Sequence, residues 1–286
     1  MSEALKIIEC PRDAMQGLQD FIPTAQKVRY LNALLKVGFD VLDCGSFVSP
    51  KAIPQLRDTR EVLARINREE STTKLLVIIA NERGGREAVK HEAVDFLGYP
   101  FSISEIFQKR NTNKSIAESE DLVKILLELC AKHNKQLVVY LSMGFGNPYR
   151  EPWSAEIVRK FCEKLADFGV RIISLSDTIG TSNPENIDHL FSTLIPDFPQ
   201  IEFGAHLHTT PDTWHEKVEA AYGAGCRRFD GAIKGFGGCP MADDDLVGNM
   251  PTEKLITFMQ EQHSGHNLDL RAFENSINEA HKTFPL

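Results

Sequence analysis

The sequence predicts an α/β protein in which eight parallel strands close into a (β/α)8 TIM barrel, with an additional C-terminal helical segment. Three observations support this fold class. Short β-rich runs alternate with longer segments of helical periodicity, as is typical of parallel sheets. The 286 residues accommodate eight strand–helix units of about 36 residues each. No change in composition and no Pro/Ser-rich linker divides the chain.

The eight predicted strands are short apolar runs bounded by turn-forming residues. They cover residues 5–10, 40–45, 74–80, 93–98, 136–142, 171–176, 201–206 and 227–233. Helices are predicted where apolar residues recur at helical spacing, several of them after a Ser, Thr or Asp that can cap the first turn. They cover residues 24–37, 54–67, 85–91, 119–134, 154–168, 184–194, 213–224 and 252–261. A further amphipathic helix over 270–284 is expected to cover a barrel flank or an oligomer contact.

The alternative fold is a doubly wound open sheet, which would place a Gly-rich phosphate loop after the first strand. The segment CPRDAMQ stands there instead, which argues against dinucleotide binding. We therefore expect one catalytic barrel domain over residues 1–286. Within it, residues 235–250 form a loop over the barrel mouth and residues 265–286 form the C-terminal helical extension.

Composition excludes several classes of protein and partner. The formal net charge is −8 and no block of Lys and Arg is present, so nucleic acid is not an expected partner. The longest clean apolar run covers residues 75–80, too short for a membrane span, and no signal peptide precedes the first strand. Six dispersed cysteines without a C-x-x-C pair are typical of reduced thiols. The expected location is the cytoplasm, with a small molecule as the partner.

The active site of such a barrel lies at the carboxyl ends of its strands, and two histidines end the seventh strand. His206 and His208 are two residues apart on a strand, so both imidazoles can face one ion. An isolated H-x-H is more often incidental, but Asp13 at equivalent depth and the oxygen-bearing Asn249 strengthen the interpretation. Imidazole, carboxylate and amide oxygen together suit Mg²⁺ or Mn²⁺. The sequence thus predicts a divalent metal site.

Other polar residues at the strand ends complete the predicted site. Arg12 provides a permanently charged fork for a carboxylate, a thioester oxygen or an enolate, unless it is a surface residue paired with an acid. Asp177 could hold a ligand or act as a base, and a buried structural carboxylate is the alternative. Cys239, in the Gly-rich segment GFGGCP, could be reactive or inert. Further polar residues at strand ends are Gln16, Asp43 and Asn81.

Motifs along nearly the whole chain resemble the 3-hydroxy-3-methylglutaryl-CoA lyases, a family of metal-dependent barrels. They are PRDAMQ, SFVSPKAIPQL, SEIFQKRNTNKSIAES, ISLSDTIG, GAHLH, GFGGCP and GN-x-x-TE. The R-D-x-x-Q and H-x-H elements are shared with the related isopropylmalate and homocitrate synthases, whereas SFVSPK and the S-E-x-F segment are more specific to the lyases. The resemblance implies retro-Claisen cleavage of 3-hydroxy-3-methylglutaryl-CoA to acetyl-CoA and acetoacetate with a divalent cation.

The resemblance also implies residue roles. Asp13, His206, His208 and Asn249 would be metal ligands, Arg12 would stabilise the enolate, and Cys239 would lie on the catalytic loop. Asp43 and Asp177 match acidic positions of the family's site. With Gln16 and Asn81, which are expected to contact substrate beside Arg12, these residues form the predicted site.

Several departures from the family's pattern bear on the substrate. Asp43 stands where Glu is usual, and Thr209 replaces the acid after the second histidine. The mouth loop is one residue longer and carries three acids, Asp243 to Asp245, which should weaken binding of an anionic thioester unless they face solvent. A related metal-dependent aldolase or acyl-CoA lyase acting on another 3-hydroxy acid is therefore the alternative function. A non-catalytic barrel is a third hypothesis, which the intact ligand set disfavours. A homodimer is a further expectation.

Overall fold

The computed structural model describes residues 5–238, 247–264 and 267–284. Eight parallel strands close into a barrel in the order β1-β2-β3-β4-β5-β6-β7-β9, and pairing of Ile8 with Asp230 joins the last strand to the first. This closure confirms the predicted TIM barrel and shows that the open-sheet alternative is wrong. The barrel strands are β1 Lys6–Glu9, β2 Val41–Ser46, β3 Lys74–Ile78, β4 Phe96–Ser102, β5 Gln136–Ser142, β6 Ile172–Ser176, β7 Glu202–His206 and β9 Arg228–Gly231.

Every predicted helix has a counterpart in the structure, and α10 has the predicted bounds. The eleven helices of the described residues are α1 Pro11–Gln16, α2 Thr24–Leu35, α3 Thr59–Arg65, α4 Glu82–Ala88, α5 Glu105–Thr112, α6 Ile116–Lys132, α7 Ala155–Phe168, α8 Pro184–Asp197, α9 Trp214–Gly223, α10 Thr252–Glu261 and α11 Leu270–Thr283. Two of them, α1 and α5, lie in segments without a predicted helix. The helix predicted over 54–67 is divided into a 3-10 turn, Pro54–Leu56, and α3. None of the described helices is long and apolar enough to cross a membrane.

Strand β4 begins and ends later than predicted, and Pro100 lies inside it. The amide of Val94 donates to the carbonyl of His91, so this segment still turns where a strand was expected. The carbonyl of Gly98 accepts from Ile79, so the backbone groups of residues 98 and 100 face β3. Pairing of β4 with β3 ends at Gly98. The N–H that proline lacks is therefore not needed, and the strand continues beside β5 to Ser102.

Two layers of buried apolar side chains flank the barrel wall. The larger layer fills the space between the strands and the surrounding helices. The smaller one lies inside the barrel and consists of Ile8, Cys10, Val41, Leu76, Ile78, Val138, Tyr140 and Ile172. Above it, towards the carboxyl ends of the strands, the inward-facing side chains become polar. The packed interior thus forms a floor beneath a polar mouth.

A two-residue antiparallel ribbon closes one side of the mouth. Strand β8, His208–Thr209, pairs with β10, Gly248–Asn249, so that Asn249 lies opposite His208. At the base of the same loop the amide of Ala232 donates to Met250, and the amide of Thr252 donates to Ala232. Both ends of the mouth segment are therefore fixed to the barrel by backbone hydrogen bonds.

Glu9 joins this base to the first strand. Its carboxyl group is fully buried and accepts from the amide of Ile233 at 3.0 Å and from the hydroxyl of Thr252. Burial raises the pKa of Glu9 from its ordinary value of 4.5 to about 8, although both hydrogen bonds oppose the shift. An ionisable group thus lies between β1 and the segment that begins and ends the mouth loop.

The C-terminal helix α11 packs against α2. Its Phe273 meets Phe39 edge to face, with ring centroids 6.2 Å apart, and Phe284 meets Tyr30 in the same way at 5.7 Å. Aromatic pairs of this geometry add to the stabilisation from apolar burial. Of the two predicted positions for this helix, the structure places it on a flank of the barrel.

Candidate active site and metal centre

A cavity of about 430 Å³ opens at the carboxyl ends of the barrel strands. Its wall combines charged, imidazole and hydroxyl groups with apolar side chains from the loops after β2 and β4. The residues that line it are Arg12, Asp13, Gln16, Gly17, Val48, Ala52, Ile53, Ile78, Ala80, Pro100, Phe107, Arg110, Asn111, Tyr140, Ser142, Ser176, Thr178, His206 and His208. Arg12, Asp13, Gln16, His206 and His208 of the predicted site therefore share one cavity.

Three of the predicted metal ligands converge in this cavity. Asp13 lies in α1, just after β1, His206 ends β7 and His208 begins β8. Each offers one ligand atom, and these atoms lie within 4.8 Å of one another. The imidazole centroids of the two histidines are 5.6 Å apart, although Leu207 between them turns into the core outside the barrel. The two strand ends and the first turn of α1 therefore bring two imidazoles and a carboxylate together.

Asn249 reaches this cluster through the β8–β10 ribbon. Its amide nitrogen donates to Asp13 Oδ2 at 2.8 Å and to the carbonyl of Phe236 at 2.9 Å. Both hydrogen bonds use the nitrogen, which leaves the amide oxygen to serve as a ligand. Gly237 approaches from the same loop. At its φ of 84°, a Cβ atom would lie 2.8 Å from the carbonyl oxygen of Asp13, so only glycine fits here.

The protonation states of these side chains suit a divalent cation. Burial alone would raise the pKa of Asp13, but the charge of Arg12, reinforced by the histidines and the Asn249 hydrogen bond, lowers it to about 2. Burial and the neighbouring His206 lower the pKa of His208 to about 4, so its imidazole is neutral. The buried Nδ1 of His208 has no hydrogen-bond partner among the described residues. An ionised carboxylate and a neutral imidazole are the forms in which these groups bind metal ions.

Asp230 is a member of the site that the sequence analysis missed. Its Oδ2 lies 3.1 Å from Nδ1 of His206, and its side chain is fully buried inside the barrel. Burial would lower the pKa of His206, but this hydrogen bond and the charge of Asp230 raise it. A carboxylate on one ring nitrogen fixes the tautomer that presents the other to a metal. The alternation in RRFDG, which puts Asp230 on the inner face, was the available signal.

Arg12 is held rigidly at the cavity wall. Its Nε and one terminal nitrogen donate to Asp43 Oδ2 at 2.9 and 2.5 Å, and the other terminal nitrogen donates to Asp13 and Gln16 at 2.7 and 2.8 Å. These carboxylates outweigh the effect of burial and raise the pKa of Arg12, so the guanidinium stays charged. Burial raises the pKa of Asp43 to about 6 despite Arg12, and its Oδ1 has no partner among the described residues.

Asp177 and Asn81 are placed differently from the expectation. Asp177 is fully buried and does not line the cavity. It accepts from the amide and hydroxyl of Ser182 and from Lys217, which also donates to the carbonyl of His208 at 2.8 Å. The alternative of a buried structural carboxylate therefore describes Asp177 better than a base in contact with substrate. Asn81 caps helix α4, accepting from Gly84 at 2.8 Å, and its side chain does not form part of the wall.

The helix α5 supplies a side of the cavity that the residue-by-residue analysis missed. Phe107, Arg110 and Asn111 face the opening, and the guanidinium of Arg110 lies 5.2 Å from the ring centroid of Tyr149. The segment that forms α5 carries the family resemblance, but none of its residues is indicated individually by the sequence. Cys239 and the acids Asp243 to Asp245 lie outside the described residues, so their predicted roles stay predictions.

Comparison with known proteins identifies the family. The family model described as HMGL-like matches residues 5–278. Hydroxymethylglutaryl-CoA lyase YngG of Bacillus subtilis is 34% identical over 263 residues, covering 91% of this chain and 86% of that protein. The human mitochondrial hydroxymethylglutaryl-CoA lyase is 31% identical over 271 residues, covering 94% and 82%.

Solved structures agree with this relationship. The HMG-CoA lyase from Brucella melitensis superposes with a TM-score of 0.90 at 29% identity, covering 98% of this chain and 99% of that one. An HMG-CoA lyase from Acinetobacter baumannii, solved with coenzyme A and 3-methylmalate, superposes with a TM-score of 0.88 at 31% identity, covering 98% and 91%. The chain belongs to the HMGL-like family.

Proposed function

We propose that this protein is a divalent-cation-dependent carbon–carbon lyase that cleaves 3-hydroxy-3-methylglutaryl-CoA into acetyl-CoA and acetoacetate. The observation that carries the proposal is the position of the fixed Arg12 beside the Asp13, His206 and His208 cluster in one cavity. Membership of the HMGL-like family supports the choice of substrate, because the relatives named above are lyases for this thioester. Mg²⁺ or Mn²⁺ is the proposed ion.

The chemistry requires a proton acceptor for the tertiary hydroxyl and a cation for the leaving enolate. Loss of the hydroxyl proton turns that carbon into the ketone of acetoacetate, and the electrons of the broken C–C bond pass to the acetyl-CoA enolate, which is then protonated. A divalent cation held by Asp13, His206, His208 and Asn249 would act as a Lewis acid that lowers the pKa of the hydroxyl and orients the substrate.

Arg12 stabilises the developing enolate oxygen in this proposal. All three guanidinium nitrogens are already hydrogen-bonded, so the positive charge needs no reorganisation during the reaction. Asp43 is fully buried and does not line the cavity, so in this proposal it acts by positioning Arg12. Asp177 acts at a distance, because it fixes Lys217 and thereby the backbone of His208.

The test is an assay in which the purified protein is incubated with 3-hydroxy-3-methylglutaryl-CoA and the acetyl-CoA formed is detected by coupling to citrate synthase. The assay is run with Mg²⁺ or Mn²⁺, and again after a chelator has removed the metal. We expect turnover that requires the added cation and is lost in His208→Ala. The matched control is His189→Ala, which removes an exposed histidine of α8. Absence of acetyl-CoA with either cation would refute the proposal.

The same assay, run with other substrates, distinguishes the proposed function from its alternative. A panel of 3-hydroxyacyl thioesters and CoA-free 3-hydroxy acids distinguishes the proposed lyase from a related aldolase or acyl-CoA lyase. Faster turnover of a longer or CoA-free substrate would favour the alternative, which Thr209 and the altered sequence of the mouth loop motivate.

Location and assembly belong to the same proposal. Five free, buried cysteines among the described residues support a reducing compartment such as the cytoplasm. A homodimer stays a prediction that light scattering can test.

A further inference from the structure

A second group of potential metal ligands lies inside the barrel, beneath the candidate metal centre. Cys10, His206 and Asp230 each offer one ligand atom, and these atoms lie within 4.8 Å of one another. Cys10 and Asp230 are buried, with 1% and 2% of their surface exposed. This group shares only His206 with the Asp13, His206 and His208 cluster, so the imidazole lies between two sets of ligands.

The barrel geometry brings these three side chains together. Strand β9 lies between β7 and β1, with Ala205 opposite Phe229 and Ile8 opposite Asp230. Because side chains alternate along a strand, Asp230 and His206 face inward while their neighbours Phe229 and Ala205 face the helices. Cys10 follows β1 by one residue and belongs to the interior layer with Ile8. The three positions are thus neighbours on the inner wall of adjacent strands.

The polar atoms of this group have unused bonding capacity. Asp230 Oδ1 is buried and has no hydrogen-bond partner among the described residues. Within the described part of the chain, the thiol of Cys10 makes one long contact, 3.6 Å to the carbonyl of Ile8. Buried polar atoms are nearly always satisfied in folded proteins, so an unpartnered carboxylate oxygen here indicates a missing ligand.

The charges around the group also favour a cation. Three buried carboxylates, Asp13, Asp43 and Asp230, lie near the thiol, as their effects on its ionisation show. Arg12 is hydrogen-bonded to the first two, whereas the partners of Asp230 among the residues that the structure describes are the imidazole and, at 3.5 Å, the Ser174 hydroxyl. A divalent ion beside Asp230 would balance this charge.

We propose that Cys10, His206 and Asp230 form a second cation site, which takes a thiophilic divalent ion such as Zn²⁺. Sulfur, imidazole nitrogen and a single carboxylate are a ligand set that selects zinc or cobalt over magnesium. In this arrangement the ion binds Nδ1 of His206 in place of the hydrogen bond to Asp230. The upper site, which offers two oxygen ligands and no thiol, keeps its preference for Mg²⁺ or Mn²⁺.

Occupancy of the lower site has a consequence for the upper one. The Asp230 hydrogen bond fixes the orientation of the His206 ring, and an ion on Nδ1 removes that bond. Zinc is therefore an inhibitor of the Mg²⁺-supported reaction. This last consequence rests on the proposed lyase function, whereas the binding of the ion does not.

Cobalt provides the binding test, because a cobalt–thiolate bond gives a charge-transfer absorption in the near ultraviolet. The full-length protein, stripped of metal, is titrated with Co²⁺ in the presence of Mg²⁺. We expect the thiolate band in the unaltered protein and its loss in Cys10→Ser and in Cys10→Ala. Cys44→Ser, which alters another buried thiol, and Cys239→Ser should both retain the band. Either no band at all, or a band that survives in the Cys10 variants, overturns the proposal.

Two further measurements keep the result interpretable. Mn²⁺ binding to the upper site, followed by electron paramagnetic resonance, should be unchanged in a Cys10 variant that is folded by circular dichroism. Inhibition of acetyl-CoA formation by Zn²⁺ should require about tenfold more zinc in that variant. If the protein does not cleave the thioester, the cobalt band still reports on the lower site, so failure of the proposed function is distinguishable from failure of this inference.

Discussion

His206 is the residue on which the geometry of the candidate site depends most. Its ring lies between the cavity and the barrel interior, and Asp230 holds it from the inner side. A histidine that binds a metal through one ring nitrogen usually donates the N–H of the other nitrogen to a carboxylate or carbonyl. A buried carboxylate in this position fixes the tautomer and the orientation of the ring. We therefore propose Asp230 as a positioning residue for the candidate metal centre.

Replacing Asp230 by Asn tests this role. The shape is retained, but the charge that orients the imidazole is lost, so Mn²⁺ affinity should fall by about 10- to 100-fold. Electron paramagnetic resonance of free Mn²⁺ measures the affinity without reference to activity. Asp188→Asn, an exposed change on α8, is the control. Equal affinities in the two variants would assign Asp230 a purely structural role.

Arg12 combines charge with fixed geometry, and lysine supplies only the charge. In Arg12→Lys the fork that bonds Asp43, Asp13 and Gln16 is lost, so the rate of thioester cleavage should drop by a factor on the order of 10² to 10³. The rate constant at saturating substrate is the quantity to measure. Arg171→Lys, at an exposed position, should leave it unchanged. A drop of less than about tenfold would place the enolate elsewhere.

Sequence reasoning brought the proposed metal ligands together, but it expected one carboxylate, Asp177, and one amide, Asn81, at the cavity, which neither of them lines. Asp13, His206 and His208 were identified because polar residues at strand ends meet at the barrel mouth. The same rule failed for Asp177 and Asn81, since a residue at a strand end can also turn back to a helix. Asp177 accepts from Lys217, which is 40 residues away in the sequence, so a single sequence could not indicate that contact. Asn81 accepts from the amide of Gly84, three residues later, and this N-cap pattern was available in the sequence.

At the level of elements, α1 and α5 were the helices that sequence patterns did not indicate. They have six and eight residues, and polar residues make up half or more of each, so an apolar period does not emerge. Both nevertheless line the cavity, α1 with Arg12 and Asp13 and α5 with Arg110. In short helices that follow barrel strands, the residues that line the site determine the sequence, so apolar periodicity does not indicate these helices.

Removing the side chain of Arg110 tests the contribution of α5. Its guanidinium is exposed at the cavity rim, above the ring of Tyr149, where it can meet an anionic part of the substrate. Arg110→Ala should raise KM about tenfold with little change in kcat, since the contact is equal in the ground and transition states. Lys109→Ala changes the adjacent cation, which is paired with Glu105, and should leave KM unaltered. A matching fall in kcat would contradict a binding role.

At the level of the whole molecule, the barrel could be predicted from the alternation of strand and helix segments and from the length of the chain. Eight strand runs were located, and seven of them agree closely with the observed bounds, because buried parallel strands are compact apolar segments. The exception, β4, contains Pro100, whose tolerance depends on where its neighbour β3 ends. The position of Pro100 relative to the end of β3 is a property of the assembled sheet, so it cannot be predicted from the strand's own sequence.

The stability of the barrel should depend on pH through Glu9. The pKa is about 8 in the folded protein against an ordinary value of 4.5, so between these values the unfolded chain releases a proton that the folded protein keeps. The free energy of unfolding therefore falls as pH rises through this window, by at most about 1.4 kcal/mol per pH unit.

Glu9→Gln should flatten this dependence, as measured by chemical unfolding at a series of pH values. The amide cannot ionise, so the loss of stability towards alkaline pH should be smaller than in the unaltered protein. Glu69→Gln, which changes an exposed residue, should leave the slope as it was. The same slope in Glu9→Gln would mean that another buried group governs the response.

The ribbon between His208 and Asn249 makes the mouth of this barrel suitable for grafting. Asn249 is held by its pairing with β8, and the loop base is held separately at Ala232 and Met250. Asn249 is therefore held by contacts that do not involve residues 239–246, so we expect the proposed ligand atom to keep its position when the sequence of that segment is changed. An engineer could exchange residues 240–246 and keep Cys239, to alter which acyl chain is admitted without rebuilding the coordination of the proposed ion.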